Sequence, residues 1–208
     1  VVAGVEDGVG VHAVLPVQVG DVGAFAEMLG AEGDDALAAN ADQVDIDKDG
    51  TRRPVPLHGP AAFAAMRAAG RLAAETLDFI TPFVRRGVST GELDRRIADF
   101  MHEHHAISAT LGYRGYPKSC CISINHVVNH GIPSDEKRLH DGDIANIDVT
   151  VVLDGWYGDT SRMFIVGDRA SVKAQKLVDV TFEAMWAGIR AVRPGATLGD
   201  VGHAIQRI

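Results

Sequence analysis

The sequence predicts a mixed α/β chain of the α+β type, and three observations carry this expectation. They are a β-hairpin pattern over residues 144–166, amphipathic helices ahead of it, and a near-copy of those helices behind it. In the hairpin, alternating runs flank Asp154-Gly155, a dipeptide that suits a two-residue turn with positive φ. Ahead of it, Pro60 suits the first turn of a helix, and Phe63, Met66, Gly70, Ala73, Leu77 and Ile80 recur at helical spacing until Pro82. The run STGE (residues 89–92) predicts a capping box opening a second helix, whose apolar face is Leu93, Ile97, Phe100 and Met101. Residues 119–124 (SCCISI) read as a strand, followed by a loop carrying His130-Gly131-Ile132-Pro133. Helical periodicity resumes near Ser171 and stops at Pro194-Gly195, and TLGD (residues 197–200) caps a further helix reaching toward Ile208.

The third observation is a repeat. VRRGVSTGELDRRI (84–97) aligns with VRPGATLGDVGHAI (192–205) at an offset of 108 residues, and Glu75 matches Glu183 at the same offset. A duplicated unit of helix, turn and capped helix explains this better than chance turn chemistry, because both copies follow a long helix. If the first copy runs from about 60 to 167 and ends with the hairpin, the second should carry strands of its own over about 70 further residues, so the chain is expected to be C-terminally truncated.

The hairpin also carries the chemistry. With Asp154-Gly155 as the whole turn, Leu153 pairs with Trp156, Asp148 with Ser161 and Thr150 with Asp159. Side chains alternate, so Asn146, Asp148, Thr150, Asp159 and Ser161 share one face, with the two acids diagonal at about 7 Å between Cα atoms. That spacing suits a shared metal ion. A lone strand Asp is best read as solvated, but Asp148 interrupts the apolar run IANIDVTVVL, where an unpaired carboxylate is costly to bury. A bulge at Gly158 would change the register.

Composition bounds the rest. The 208 residues are 46% hydrophobic, enough for a real core. No apolar run approaches the roughly 20 residues of a membrane span, and the N-terminus lacks the basic start of a signal peptide, so a cytoplasmic protein is expected. The only cysteines, Cys120 and Cys121, are adjacent and build no disulfide framework. The net charge of −8 belongs to the first 50 residues, which hold 11 acids, one base, eight glycines and one aromatic. Residues 1–53 are therefore expected to form a poorly ordered acidic extension, and residues 54–208 the folded domain. Within the extension, Asp45, Asp47, Asp49 and Gly50 match the first half of a calcium loop, but the position of the bidentate Glu is Pro56, which favours a solvated linker. HEHH (residues 102–105) lacks the spacing of a zinc motif, since Ala106 stands where the second His belongs. Histidines at a helix C-terminus are favoured by the dipole without a metal.

Residues 111–168 (LGYRGYPKSCCISINHVVNHGIPSDEKRLHDGDIANIDVTVVLDGWYGDTSRMFIVGD) strongly resemble type I methionine aminopeptidases through GYPKS, HGIP, DGDIxNIDV and GDTSRMF, a likeness extending from about His58 to Ile208. The resemblance implies the pitta-bread fold, two pseudo-symmetric halves around a dinuclear metal centre, with the first half and the start of the second present here. It implies that Asp148 chelates one metal and Asp159 bridges both. By the same resemblance His130 is a non-ligand catalytic and substrate-contacting residue, and Tyr113, Tyr116 and Cys121 line the methionine side-chain pocket. Without it, the two tyrosines read as half-exposed aromatics and Cys121 as a small buried hydrophobe.

The implied cofactors are two divalent ions, Co, Mn, Fe or Zn, which a carboxylate-rich site does not separate. The implied substrates are nascent polypeptides beginning with Met, met at the ribosome by an enzyme that is monomeric when intact; no nucleic acid or membrane is expected as a partner. Thr110 and Asn129 stand where many bacterial members have Cys, and Arg114 where they have His. The family's remaining ligands, one His and two Glu, belong to a second half without counterpart here, so the fragment alone is expected to be nearly inactive. Two rivals remain: a proline-specific aminopeptidase of the same fold, and a binding module that keeps the fold without the metals.

Overall fold

The structure, a computed structural model, describes residues 44–46, 52–54 and 58–208. The expected disorder of the acidic extension and most of its calcium-like loop lie outside the described residues. Inside that region, β1 (Val44–Ile46) pairs antiparallel with β2 (Arg52–Pro54), strands too short to leave an alternating pattern in the sequence.

From His58 onward the chain alternates helix pairs and sheet. Helix α1 (Pro60–Ile80) starts with proline in its first turn and buries Ala69, Leu72, Ala73, Leu77 and Ile80. Its apolar stripe is shorter than the sequence predicts, because Phe63 and Met66 remain 42% exposed. A 3-10 turn (Thr81–Phe83) leads to α2 (Thr90–Glu103). Ser89 Oγ accepts the Glu92 N–H at 3.1 Å, as the capping pattern predicts. The Glu92 carboxylate, however, turns to Arg96 at 2.8 Å, so this box is half formed. The second box is complete: Thr197 Oγ1 accepts from the Asp200 N–H, and Asp200 accepts from the Thr197 N–H at 2.7 Å.

The sheet is built on β5 (Ile144–Leu153), the strand that pairs with all the others. Along one edge it pairs over its full length with β6 (Trp156–Ile165). Along the other edge lie β4 (Cys121–Ile124), opposite residues 145–148, and the two-residue β3 (Ile107–Ser108), opposite Val151 and Val152. All pairings are antiparallel, and Asp154 and Gly155 form the hairpin turn with φ of 50° and 82°. Strand β4 begins two residues later than expected, because the N–H groups of Ser119 and Cys120 bond to the Asp94 carboxylate instead of to a neighbouring strand.

One face of the sheet, bearing Ile147, Val149, Val151 and Phe164, packs on α1 and α2 and forms the core. The same face holds Arg162, whose guanidinium reaches Asp78 at 2.7 Å and Thr81 Oγ1 at 3.1 Å, so its charge is paired despite burial. The glycine in β6 marks no bulge. The register runs unbroken through Val151 and Gly158, and a Cβ on Gly158 would drive into the Ala69 carbonyl of α1. That glycine exists so that helix and strand backbones can touch.

Helix α3 (Val172–Ala191), capped by Ser171, and α4 (Leu198–Gln206) repeat the α1 and α2 pattern. Gly87 and Gly195, equivalent at the repeat offset, both turn the chain with φ near +85° (85° and 83°). The first unit is buried against its sheet. In the second, only Val178 and Gly188 of α3 are buried, Val178 against Ile144 and Ile165 of the sheet, and α4 packs chiefly on α3 through Gly188 and Ile205.

Candidate metal and substrate site

The face of β5 and β6 turned away from α1 and α2 carries the paired acids, and α3 covers the Ile144–Ile165 end of that face through Val178. Asp148 lies opposite Ser161 and Asp159 opposite Thr150, the register the sequence predicts, and alternation puts all four on that face. Asp159 is exposed, and its Oδ1 accepts the Thr150 hydroxyl at 3.1 Å, which fixes one carboxylate oxygen and leaves the other free. Asp148 is partly buried, and burial raises its pKa above the usual carboxylate value; repulsion from Asp159 adds to the rise and His130 opposes it.

The second edge of β5 brings in Cys121, which pairs with Asp148 and so points to the same side. Burial raises the Cys121 pKa, the neighbouring Tyr116 hydroxyl lowers it, and Asp148 and Asp159 raise it again. The thiol therefore stays protonated near neutral pH and behaves as an apolar wall, not a nucleophile. The Tyr116 hydroxyl lies 3.1 Å from the Cys120 carbonyl oxygen and 3.2 Å from that of Gly131, with one proton for the two. Its pKa is pushed well above the ordinary phenol value, first by burial and then by the neighbouring Cys121.

His130 precedes Gly131 in the loop lying along β4. The Ile122 N–H donates to the Gly131 carbonyl at 2.9 Å, and the Gly131 N–H donates to Ser123 Oγ at 3.1 Å. A Cβ at 131 would strike the Ile122 carbonyl, so glycine permits this close approach and thereby places His130, itself at φ 54°. Tyr113 is 63% exposed, with the Arg114 guanidinium 5.4 Å from its ring centre. Asp148, Asp159, Cys121 and the Tyr116 loop thus come together, whereas Tyr113 stays at the rim. Asp94, Thr150 and Ser123 hold these groups in place. Of the three, Thr150 was legible as the cross-strand partner of Asp159, whereas Asp94 showed only as an acid at helical spacing with buried Ile97 and Met101, with nothing to name its partners.

The donor set fits a hard divalent cation: two carboxylates of different depth share a face, and their repulsion would be relieved by positive charge. Among the described residues no group of three or more His, Cys, Asp or Glu is assembled to hold a metal, so the pair supplies only part of a coordination shell.

The profile of Metallopeptidase family M24 matches residues 64–208. This chain belongs to that family. Among curated M24 relatives, the methionine aminopeptidase of Rickettsia prowazekii is 59% identical over 152 residues, which are 73% of this chain and 58% of that protein. The chain thus spans less than two thirds of that relative's length. The crystal structure of the Rickettsia enzyme superposes with a TM-score of 0.71 at 58% identity, covering 74% of this chain and 61% of the other. A Xaa-Pro dipeptidase from Bacillus anthracis matches with a TM-score of 0.63 at 21% identity, over 72% of this chain and 40% of the other, a likeness of fold alone. The fold is accordingly the pitta-bread fold that the family resemblance implies. No described helix of this M24 chain is long and apolar enough to cross a membrane.

The raised Asp148 pKa has a consequence for the metal-free chain. Between the unfolded and folded pKa values the native state binds more protons, so stability is fully present below the unfolded value and lost as pH rises through the folded one. Asp148→Asn removes that penalty and the repulsion from Asp159. Without metal it is expected to stabilise the M24 chain at pH 7 by about 1 kcal/mol or less, since the group is partly solvated. Thermal unfolding at pH 4 and pH 7 checks this: the gain should be larger at pH 7.

Proposed function

We propose that this chain forms the first part of a methionine aminopeptidase, which removes the initiator Met from nascent proteins by metal-dependent hydrolysis in the cytoplasm. The observation that carries the reading is the shared face of Asp148 and Asp159 with Cys121 paired beside them. Asp148 and Asp159 would hold two divalent ions, Mn, Fe, Co and Zn all being compatible with oxygen donors. When bound, such ions supply Lewis acidity to the scissile carbonyl and lower the pKa of water. Cys121 and Tyr116 form the wall against which the unbranched Met side chain lies, with Tyr113 closing its outer rim. His130 holds a ring N–H toward the scissile group, orienting it and stabilising charge that develops there.

A proline-specific activity would require a pocket for a ring bonded at the peptide nitrogen. The 59% identity to a methionine enzyme, against 21% to a Xaa-Pro dipeptidase, favours the former. Substrates are N-termini beginning with Met, presented at or near the ribosome to a monomeric enzyme. The test uses the full-length protein that contains this sequence, supplied with Mn²⁺ or Co²⁺ and offered Met-Ala-Ser and Ala-Pro-Ser peptides. Chelator-sensitive release of Met alone is the expected result. Release of Ala from Ala-Pro-Ser would establish the proline-specific rival, and no hydrolysis of either would favour a binding module.

A further inference from the structure

We propose that Asp94 is a positioning residue for the side-chain pocket and, through it, for the His130 loop. This rests on the methionine aminopeptidase reading of the site. Asp94 lies on α2, 5% exposed, on the buried stripe with Ile97 and Met101, where an apolar side chain would be the ordinary choice. A buried carboxylate persists only when donors surround it. Its donors all come from the segment that builds the pocket. Asp94 Oδ1 accepts the Ser119 N–H at 2.8 Å and the Cys120 N–H at 3.2 Å, with the Cys120 Sγ at 3.6 Å. Lys118 Nζ stands 3.6 Å from Oδ2.

These bonds fix the chain where it enters β4. The next residue is Cys121, opposite Asp148. The Cys120 carbonyl, on the residue whose N–H Asp94 holds, is one of two oxygens within reach of the Tyr116 hydroxyl. The other is the Gly131 carbonyl, one residue from His130. One buried acid thus ties α2 to Cys120, Cys120 to Tyr116, and Tyr116 to the HGIP loop. Asp148 borders this chain of bonds as the ladder partner of Cys121, but both aspartates are held independently by the ten-pair β5–β6 register, and Asp159 also by Thr150. Loss of Asp94 should therefore loosen the pocket and spare the metal ligands.

Asp94→Ala and Asp94→Asn separate this role from a merely structural one, since Asn keeps an oxygen that accepts the same N–H groups. In the full-length, metal-loaded protein, Asp94→Ala is expected to raise KM for a Met-initiated peptide about tenfold, with kcat within about threefold and metal content unchanged, because the pocket binds ground and transition states alike. Asp94→Asn should recover most of that KM. Hydrogen exchange on the 208-residue chain supplies a readout independent of activity: the Ser119 and Cys120 amides should exchange at least about tenfold faster in the Ala variant, while the Val149 amide keeps its protection. Unchanged KM with unchanged exchange would overturn the proposal. So would a uniform loss of folded protein in both variants with normal KM in the surviving fraction, which is the purely structural outcome. If the unaltered protein releases no Met, the functional reading fails instead, and the exchange data then judge Asp94 as an anchor alone.

Discussion

Asp159→Asn in the full-length protein is expected to lower kcat/KM for Met-initiated peptides by roughly 10³-fold at saturating metal. The change is nearly isosteric. Asn keeps an oxygen that can accept the Thr150 hydroxyl, now 3.1 Å from Oδ1, so the local hydrogen bond can survive. It loses the negative charge and the second oxygen donor, which are what a cation shared with Asp148 requires. The residue is exposed on a strand held by ten paired positions, so the fold should be indifferent. Steady-state rates across a metal titration, alongside thermal unfolding of the metal-free proteins, separate the two effects. A variant that unfolds as the parent does and hydrolyses no Met peptide is the expected outcome; retained activity would remove Asp159 from the site.

The second large effect lies on the opposite face. Gly158→Val should cost about 3 kcal/mol or more, because the new Cβ would overlap the Ala69 carbonyl and backbone cannot yield as a flexible side chain can. Relief would require α1 to lift from β6, opening the core around Leu72, Ala73 and Val149. At the neighbouring Tyr157, 58% exposed, Tyr157→Ala should change stability by only about 0.5 kcal/mol. Thermal or urea unfolding of the two variants beside the parent checks the contrast. Similar midpoints for Gly158→Val and the parent would mean that α1 does not sit on the strand as described.

These two positions also mark what could and could not be read from the residues. The hairpin register was legible because a two-residue Asp-Gly turn leaves one pairing that keeps both apolar sets on one face, and Asp148 and Asp159 followed from it. The meaning of Gly158 was not legible. A strand glycine signals either a bulge or a close approach, and only the passage of α1 over β6 decides between them. The two-unit organisation could be read from the capped turns, down to the equivalent Gly87 and Gly195. The half-formed box at Ser89 could not, since Glu92 has a competing partner one helical turn away in Arg96. Strand β3 escaped notice because two residues cannot show a period. Asp94 was hidden for another reason: an acid on an apolar stripe states that it has partners, but those partners lie 25 and 26 residues further along the chain.

The central claim is that the exposed face of the β5–β6 hairpin is the metal-binding face. Titration of metal-free, full-length protein with Mn²⁺, followed by electron paramagnetic resonance, tests it directly, with Asp148→Asn and Asp159→Asn beside the parent. Saturable Mn²⁺ binding by the parent, weakened at least about a hundredfold in each variant while both remain folded, is the predicted result. Parent-like Mn²⁺ affinity in both variants would contradict the claim and place the metal on other residues.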